Sequence, residues 1–488
     1  MSTDAQFAAW LGDSTAQRVM LFEVGASSGG AAVTRYLSNG PYGGGAPATP
    51  YQAIVAGGLT VTESISMDAD ATLAAGDIEV YNVGGERDAW LNDIWKNYPV
   101  QAFIGDVRWD RADFRSVFSG VIIDIGSRSR DRLNLKLTNK LERLNTPVTD
   151  VKIGGNATNP DTLVPMLLGE VRNFTPVQTN PNTLEYGYGT PGSENLIEVR
   201  VGGRPRSSIT VTPSTGRFVF NGAVGTGQVT CSAQGVKYNG AYINTIAQLV
   251  QYLATQCGKA STRFTAADLD TAQLAAFDAA HQQPVGLPLL ERANILPTIL
   301  QLTSSVGAQV VMSMEGKMRL IQFAIPASAT IDIARSQQLD SSIAIVNRTE
   351  VAAAVKIGYN RNWTVQENLQ TLLPPAHIAL YGQEWSTVTS ADAAVQAAYK
   401  LDAEPTQIGT CLLRKSDAQP EADRRLAIVK VPRTTYRFDA PPAQLLTPLG
   451  AGVNLFSNRF GLSAGKVGLV TLRAVNWGNL RITMEVTV

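Results

Sequence analysis

GDIEVYNVGGERDAWL, residues 76–91, is the stretch from which the rest of the chain falls into order. Ile78 and Val80 alternate with polar neighbours as a half-buried strand does. Gly84 and Gly85 then supply the positive φ that a tight turn needs. The start of a helix carrying Trp90 and Leu91 is expected next. Beyond Pro99 come VQAFIGDVRW, FRSVFSGVIIDI and LNLKLTNKLERLNTPV, alternating or short continuous apolar runs, the last ending in a Leu-rich turn. Together these predict a β-rich domain over residues 51–150. Arg128, Arg130 and Arg132 are read as alternating along one strand face, as a subunit contact would.

Upstream, residues 1–50 are expected to be a lead-in helix to about residue 20 (Phe7, Trp10, Leu11) and then a Gly/Ser/Ala/Pro-rich stretch over 25–48, with a brief strand at VTRYLS. That stretch reads either as a surface loop or as an arm that orders against a neighbouring subunit. Tyr36, Leu37 and Tyr42 are its candidate anchors.

Downstream, residues 151–243 predict an inserted β meander, with turns at Pro213–Gly216 and Asn221–Gly222. Residues 244–340 predict helices followed by a hairpin. Ile246, Leu249, Val250 and Leu253 recur at helical spacing. Ala266–Ala280 reads as a second helix capped by Thr265, Ala293–Val306 as a third with Pro297 as a kink or a first-turn residue, and Ala308–Phe323 as a hairpin turning at Glu315–Gly316. Residues 341–430 mix strand with helices expected at 388–403 and 420–430, and residues 431–488 predict a last β domain. The fold class expected is mainly β with an α+β middle, several barrel- or sandwich-like domains joined by a helical segment.

With 488 residues the chain has room for roughly three domains. Charged residues are only 17%, and Lys+Arg and Asp+Glu are both 41. Neutrality gives no call for nucleic acid or an anionic membrane. A low charged fraction suits a surface covered by partner subunits. Cys231, Cys257 and Cys411 are scattered and read as buried small apolar residues in a reducing compartment, and with only two histidines no metal site or cofactor is expected. The N-terminus lacks a basic region followed by an apolar one, so no signal peptide is expected, and no apolar run reaches the ~18 residues of a membrane span.

No phosphate-binding loop, nucleophile elbow, zinc-protease or EF-hand motif is present, and Tyr42–Gly45 lacks the strand-to-helix context of a phosphate cradle. Glu384 beside Trp385 is the nearest approach to a carboxylic acid against an aromatic wall, and reads first as a surface residue next to a packing Trp. Asn360, Asn362 and Trp363 admit a carbohydrate-site reading, with amphipathic packing of the Trp preferred. No catalytic residues are assigned.

Five short motifs resemble, in the same order, those of tailed-bacteriophage baseplate or tail-tip hub proteins, over about residues 50–488. They are the opening strand-turn stretch with the NKLERLNTP ending at 139–147; PMLLGEVRNFTP, similar to P-x-L-x-G-x-V-x-N-x-x-P at Pro165, Leu167, Gly169, Val171, Asn173 and Pro176; the helix and hairpin before Phe323; VKIGYNRNWT at 355–364; and the turn at Arg459, Phe460, Gly461, Leu462, Gly465 and Lys466. Gly452-Val453-Asn454-Leu455 departs from the family's usual G-D-x-V. The resemblance implies a non-enzymatic structural hub in the virion tail, assembled in the host cytoplasm. Such a hub is a homotrimeric ring that joins the tube region to a spike or fibres and closes the channel before DNA ejection. Its partners would be the distal tail protein, spike or tail fibre and tape measure, with DNA passing through unrecognised. The alternatives are a distal tail protein in a hexameric ring, and a tail-associated peptidoglycan hydrolase.

Overall fold

The run VMLFEV at 19–24 is apolar on both faces, as suits a strand covered on both sides. The computed structural model describes every residue except 1–2, 44–49, 68–69, 340–341, 368, 370–371 and 403. It builds this run into β1 (Arg18–Ser28), hairpinned with β2 (Ala31–Ser38) through Gly29 and Gly30, both at positive φ. Helix α1 (Asp4–Gly12), capped by Thr3, lays Phe7, Trp10 and Leu11 into the core. β3 (Gln52–Ala53), β4 (Thr60–Ser64), β5 (Thr72–Ala75), β6 (Ile78–Tyr81), β7 (Pro99–Asp106), β8 (Arg115–Ser129) and β9 (Arg132–Asn139) follow. Seven of these make one sheet in the order β3-β2-β1-β7-β8-β9-β6. The Ala56 amide donates to the Glu79 carbonyl and the Tyr81 amide to the Ile54 carbonyl, each at 2.8 Å. Residues 54–56 thus stitch the two outer ends together, and the sheet curls into a barrel.

Three expectations are corrected here. The lead-in helix stops at Gly12, and Arg18 already begins a strand. The described part of the 25–48 stretch is no free arm: its residues 25–28 and 31–38 pair with each other, and β1 pairs with β7. The brief strand expected at VTRYLS is the C-terminal part of β2. The small side chains of residues 25–32 hid its extension and the partner strand from a reading by apolar periodicity; residues 44–48 lie outside the described residues. After Asn82 the chain makes two short 3-10 turns, Val83–Gly85 and Asp88–Asn92, rather than a helix. The Asn82 side chain accepts from the Arg87 amide and donates to Asp88, both at 2.8 Å, and this local bonding competes with helix propagation.

The expected meander divides into two sheets. β10 (Met166–Phe174), β11 (Val177–Asn180), β12 (Glu185–Gly187), β13 (Asn195–Val201), β14 (Arg204–Pro205), β15 (Ile209–Thr212), β16 (Arg217–Phe220) and β17 (Val229–Gln234) lead into the small hairpin of β18 (Lys237–Tyr238) and β19 (Ala241–Tyr242). β20 (Gly286–Leu289) joins the first sheet, ordered β14-β13-β17-β10-β20, and the second runs β11-β12-β16-β15. Phe174, Tyr188, Phe218 and Cys231 share a buried core with both sheets.

The helical middle holds α2 (Ile246–Gln256), α3 (Thr271–Ala280) and α4 (Ile295–Ser304), then the hairpin β21 (Ala308–Met312) and β22 (Met318–Gln322), turning through Gly316 at positive φ. Ile246, Leu249, Val250 and Leu253 are buried, as their spacing predicts. Thr265 caps only a 3-10 turn; Asp270, whose side chain accepts from the Gln273 amide, starts α3.

β23 (Ile331–Ile333), β24 (Ala344–Arg348), β25 (Ala354–Tyr359), α5 (Pro375–Gly382), β26 (Ser386–Ala391), α6 (Ala393–Tyr399), β27 (Gln407–Gly409) and α7 (Lys415–Val429) come next. β25 is central in the sheet β26-β25-β27. The helix expected at 388–403 is therefore a strand followed by α6, because Val355, Ile357 and Val388 pair across β25 and β26 and bury together.

β28 (Thr434–Ala440), β29 (Gly452–Leu455), β30 (Lys466–Asn476) and β31 (Arg481–Thr487) complete the chain. The last sheet reads β23-β29-β30-β31-β28-β24, with β4 also on β30 and β5 on β4. The expected borders at 340/341 and 430/431 are thus crossed: strands from residues 60–75 and 331–348 belong to the C-terminal sheet. Glu63 of β4 and Arg473 of β30 form a buried ion pair at 2.9 Å inside it. The fold class expected from sequence holds: mainly β, in several sheets, with helices concentrated in the middle.

Candidate interaction surfaces

The six interface candidates do not form one surface. Leu37 is buried in the barrel core. Tyr42 is buried against Phe114 and Tyr51, with ring centroids 5.2 and 5.7 Å away, and its hydroxyl donates to the Trp109 carbonyl at 2.9 Å. Tyr36 packs edge-on to Tyr51 at 5.4 Å. These aromatics anchor the hairpin in its own domain. Arg128 and Arg132 stand on two different strands, with Arg130 exposed in the turn between them. Arg128 pairs with Asp77 at 2.6 Å, and Arg132 pairs with Glu79 at 2.9 Å and lies over the Tyr81 ring. The single strand face expected for the three is corrected: a hairpin turn at 130–131 breaks the alternation.

The chemistry-bearing residues are equally dispersed. Burial pushes the Cys257 thiol up to about 12 and the Cys411 thiol up to about 11, and raises Cys231 as well, which disfavours the reactive thiolate. His281 stacks on Phe277 at 4.3 Å, and burial lowers its pKa. Among the described residues no three His, Cys, Asp or Glu side chains gather as a metal site would need, and no helix is long and apolar enough to cross a membrane. Glu384 is about half exposed and pairs with Arg361 at 2.8 Å. Trp385 does not wall it in. A Cβ on Gly358 or Gly409 would stand 3.0 Å from the indole, so two glycines of β25 and β27 make room for the ring. The Arg361 guanidinium lies over both Trp363 (4.1 Å) and Trp385 (5.1 Å), so both tryptophans pack.

Two features stand out. The first is β24. Among the described residues it carries a strand on one side only, β28, and all five of its residues are exposed, Ile345 by 49% and Val346 by 40%. A bulge at Val346 and the charge of Arg348 are the devices here that blunt an edge, and they leave an apolar pair in solvent. Beside it, Arg335, Leu339, Arg459 and Phe460 line a cavity of about 350 Å³.

The second is a cleft of about 350 Å³ in which two sequence motifs 190 residues apart meet. Glu170, Arg172 and Asn173 come from β10, and Asn360, Arg361 and Asn362 from the loop after β25. Asn173 Nδ2 donates to Asn362 Oδ1 (2.6 Å) and to the Thr364 carbonyl (3.0 Å); Arg172 donates to Asn360 Oδ1 (3.0 Å). Sequence reasoning flagged both motifs without joining them, since only the fold brings them together.

No protein family and no curated protein matches the sequence. Solved structures overlap with the fold. The tail protein from Neisseria meningitidis MC58 is 9% identical with a TM-score of 0.42, covering 97% of each chain. The 43 kDa tail protein of prophage MuSo2 from Shewanella oneidensis is 10% identical with a TM-score of 0.40, over 97% of this chain and 98% of that one. A chain of the virion of a native gene transfer agent particle is 13% identical with a TM-score of 0.42, over 71% of this chain and 90% of that one. Overlaps this distant weigh neither for nor against a function.

Proposed function

We propose that this chain is a structural hub of a bacteriophage tail tip or baseplate. It would form a ring, most simply a homotrimer, that joins the tail tube region to a spike or fibres and closes the channel before DNA ejection. Its place is then the virion, its partners are other tail proteins, and it has no hydrolytic activity of its own. The reading rests on the ordered hub-like motifs, which fall in elements that build the fold: the β6 turn, β10, the loop after β25 and the turn before β30. The observation that carries assembly is β24, whose unpaired backbone and exposed Ile345 and Val346 form a template for another chain.

Light scattering on the purified chain, together with the symmetry of its ring in virions, tests this. Threefold placement is expected, and Val346→Lys should shift the ring toward monomer without lowering the melting temperature. A wild-type chain that stays monomeric and never joins the particle would sink the proposal, and strict sixfold placement would favour a distal tail ring. Purified protein should leave host cell wall intact on a zymogram; clearing that vanishes in Glu384→Gln would make it a hydrolase instead.

A further inference from the structure

We propose that the cleft between β10, β13, the 360–362 loop and α5 binds a neutral saccharide. The argument begins with charge. Every ion lining it already has a counter-ion within the fold: Glu170 pairs with Arg172, Glu198 with Arg200 and Arg361 with Glu384, each at 2.8 Å. A site whose ions are spent on one another offers no net charge to an ionic ligand.

The hydrogen-bonding capacity that remains is neutral and mixed. Asn173 is only 4% exposed, and its Oδ1 is buried with no donor, while its Nδ2 is held by Asn362 and Thr364. A buried acceptor left in this state costs about 1–3 kcal/mol, and it lies sealed behind the cleft wall rather than open to a ligand. The Asn360 side-chain nitrogen and the Tyr381 hydroxyl have no partner among the described residues. One donor and one group that both donates and accepts suit hydroxyls, which also do both.

The backbone is arranged to hold these groups. Asn173 sits at the bulge of β10 with φ 46°, and Asn360 follows β25 with φ 49°. Bulges re-aim side chains, and asparagine is among the few residues that tolerate this left-handed region. Ile197, 45% exposed, and Leu380 give an apolar wall beside the Tyr381 ring, matching the C–H face of a pyranose. The cleft volume lies at the small end of the range for ligand pockets, enough for one or two sugar rings. None of this depends on whether the chain forms a ring.

Saturation-transfer NMR on the full chain is the test, with N-acetylglucosamine, glucose and a chitin trisaccharide as probes and glucose 6-phosphate as the charged control. At about 10 mM sugar, well above a millimolar Kd, the neutral probes should show transfer and the phosphate much less. Ile197→Arg, a surface change that fills the cleft, should weaken binding at least about tenfold with an unchanged melting temperature. Tyr381→Phe should weaken it about 3- to 10-fold, the scale of one hydrogen bond. Tighter binding of the trisaccharide would point to a polymeric glycan as the source, and equal binding to a free sugar; both support the site. Absence of transfer from every neutral probe, stronger transfer to the phosphate, or wild-type binding by Ile197→Arg would overturn it.

Discussion

Asp106 shows what a single residue does for the barrel. Its fully buried carboxylate accepts from Arg108 Nε and Nη2 (2.6 and 2.8 Å), Trp10 Nε1 (3.1 Å) and the Gln17 amide (3.0 Å). It ties α1 to the end of β7. The Arg108 guanidinium, with help from Trp10 and the amides, holds its carboxyl well below the usual range. A depressed folded value means that the stability it contributes is complete above the unfolded carboxyl value of about 3.9 and is lost as pH falls through the folded one. Asp106→Asn should cost roughly 2–3 kcal/mol at pH 7, the scale of charge-assisted bonds to a buried acceptor, and less at pH 3. Calorimetry at the two pH values checks this; an equal loss at both would show that the charge is irrelevant. None of it was legible beforehand, because Asp106 lies 96 positions from Trp10 and 89 from Gln17.

At the scale of elements, β10 is where the sequence spoke most clearly. The glycine of its motif, Gly169, has φ 72°, and a Cβ there would stand 2.0 Å from the Val285 carbonyl oxygen. A side chain would push β20 away. Gly192 has φ 83° with nothing within 4 Å, so alanine there meets only the left-handed penalty of about 1–2 kcal/mol. Gly169→Ala should cost more, about 3 kcal/mol or above, or fail to fold. Equal melting temperatures for the two variants would refute the crowding argument. Elements written in local signals were legible in the same way: α2 from its apolar spacing, and the β21–β22 hairpin from Glu315–Gly316. Elements that depend on distant partners were not. Gly25–Ser28 and Ala31–Ala32, where β1 turns into β2, are small residues held in the sheet by backbone pairing, and α5 begins at Pro375, the second of two prolines with no apolar spacing ahead of it.

For the molecule as a whole, the decisive contact is Glu63 with Arg473. Burial raises the Glu63 carboxyl value and lowers that of Arg473, each opposed by the other's charge. Arg473 also donates to the Leu445 carbonyl at 2.6 Å. Removing one partner leaves a buried ion alone, so Glu63→Gln and Arg473→Met should each cost about 3–5 kcal/mol, while Glu63→Leu with Arg473→Met should recover most of the loss. Additive losses in the double variant would show that the two residues act separately. The domain borders expected from sequence missed this closure because composition changes along the chain do not report which strand returns to which sheet.

That closure bears on timing. The two residues of the pair are 410 positions apart. At a synthesis rate of about 5–20 residues per second, the 60–75 segment emerges roughly 20–80 s before β30 exists to receive it. Until then β4 can pair only with β5, and the edge that will receive β30 stays open on the nascent chain. Completion of the C-terminus, not of the first barrel, is thus the event that seals both ends of the molecule, and a product cut short before residue 466 would leave its N-terminal part unfinished as well.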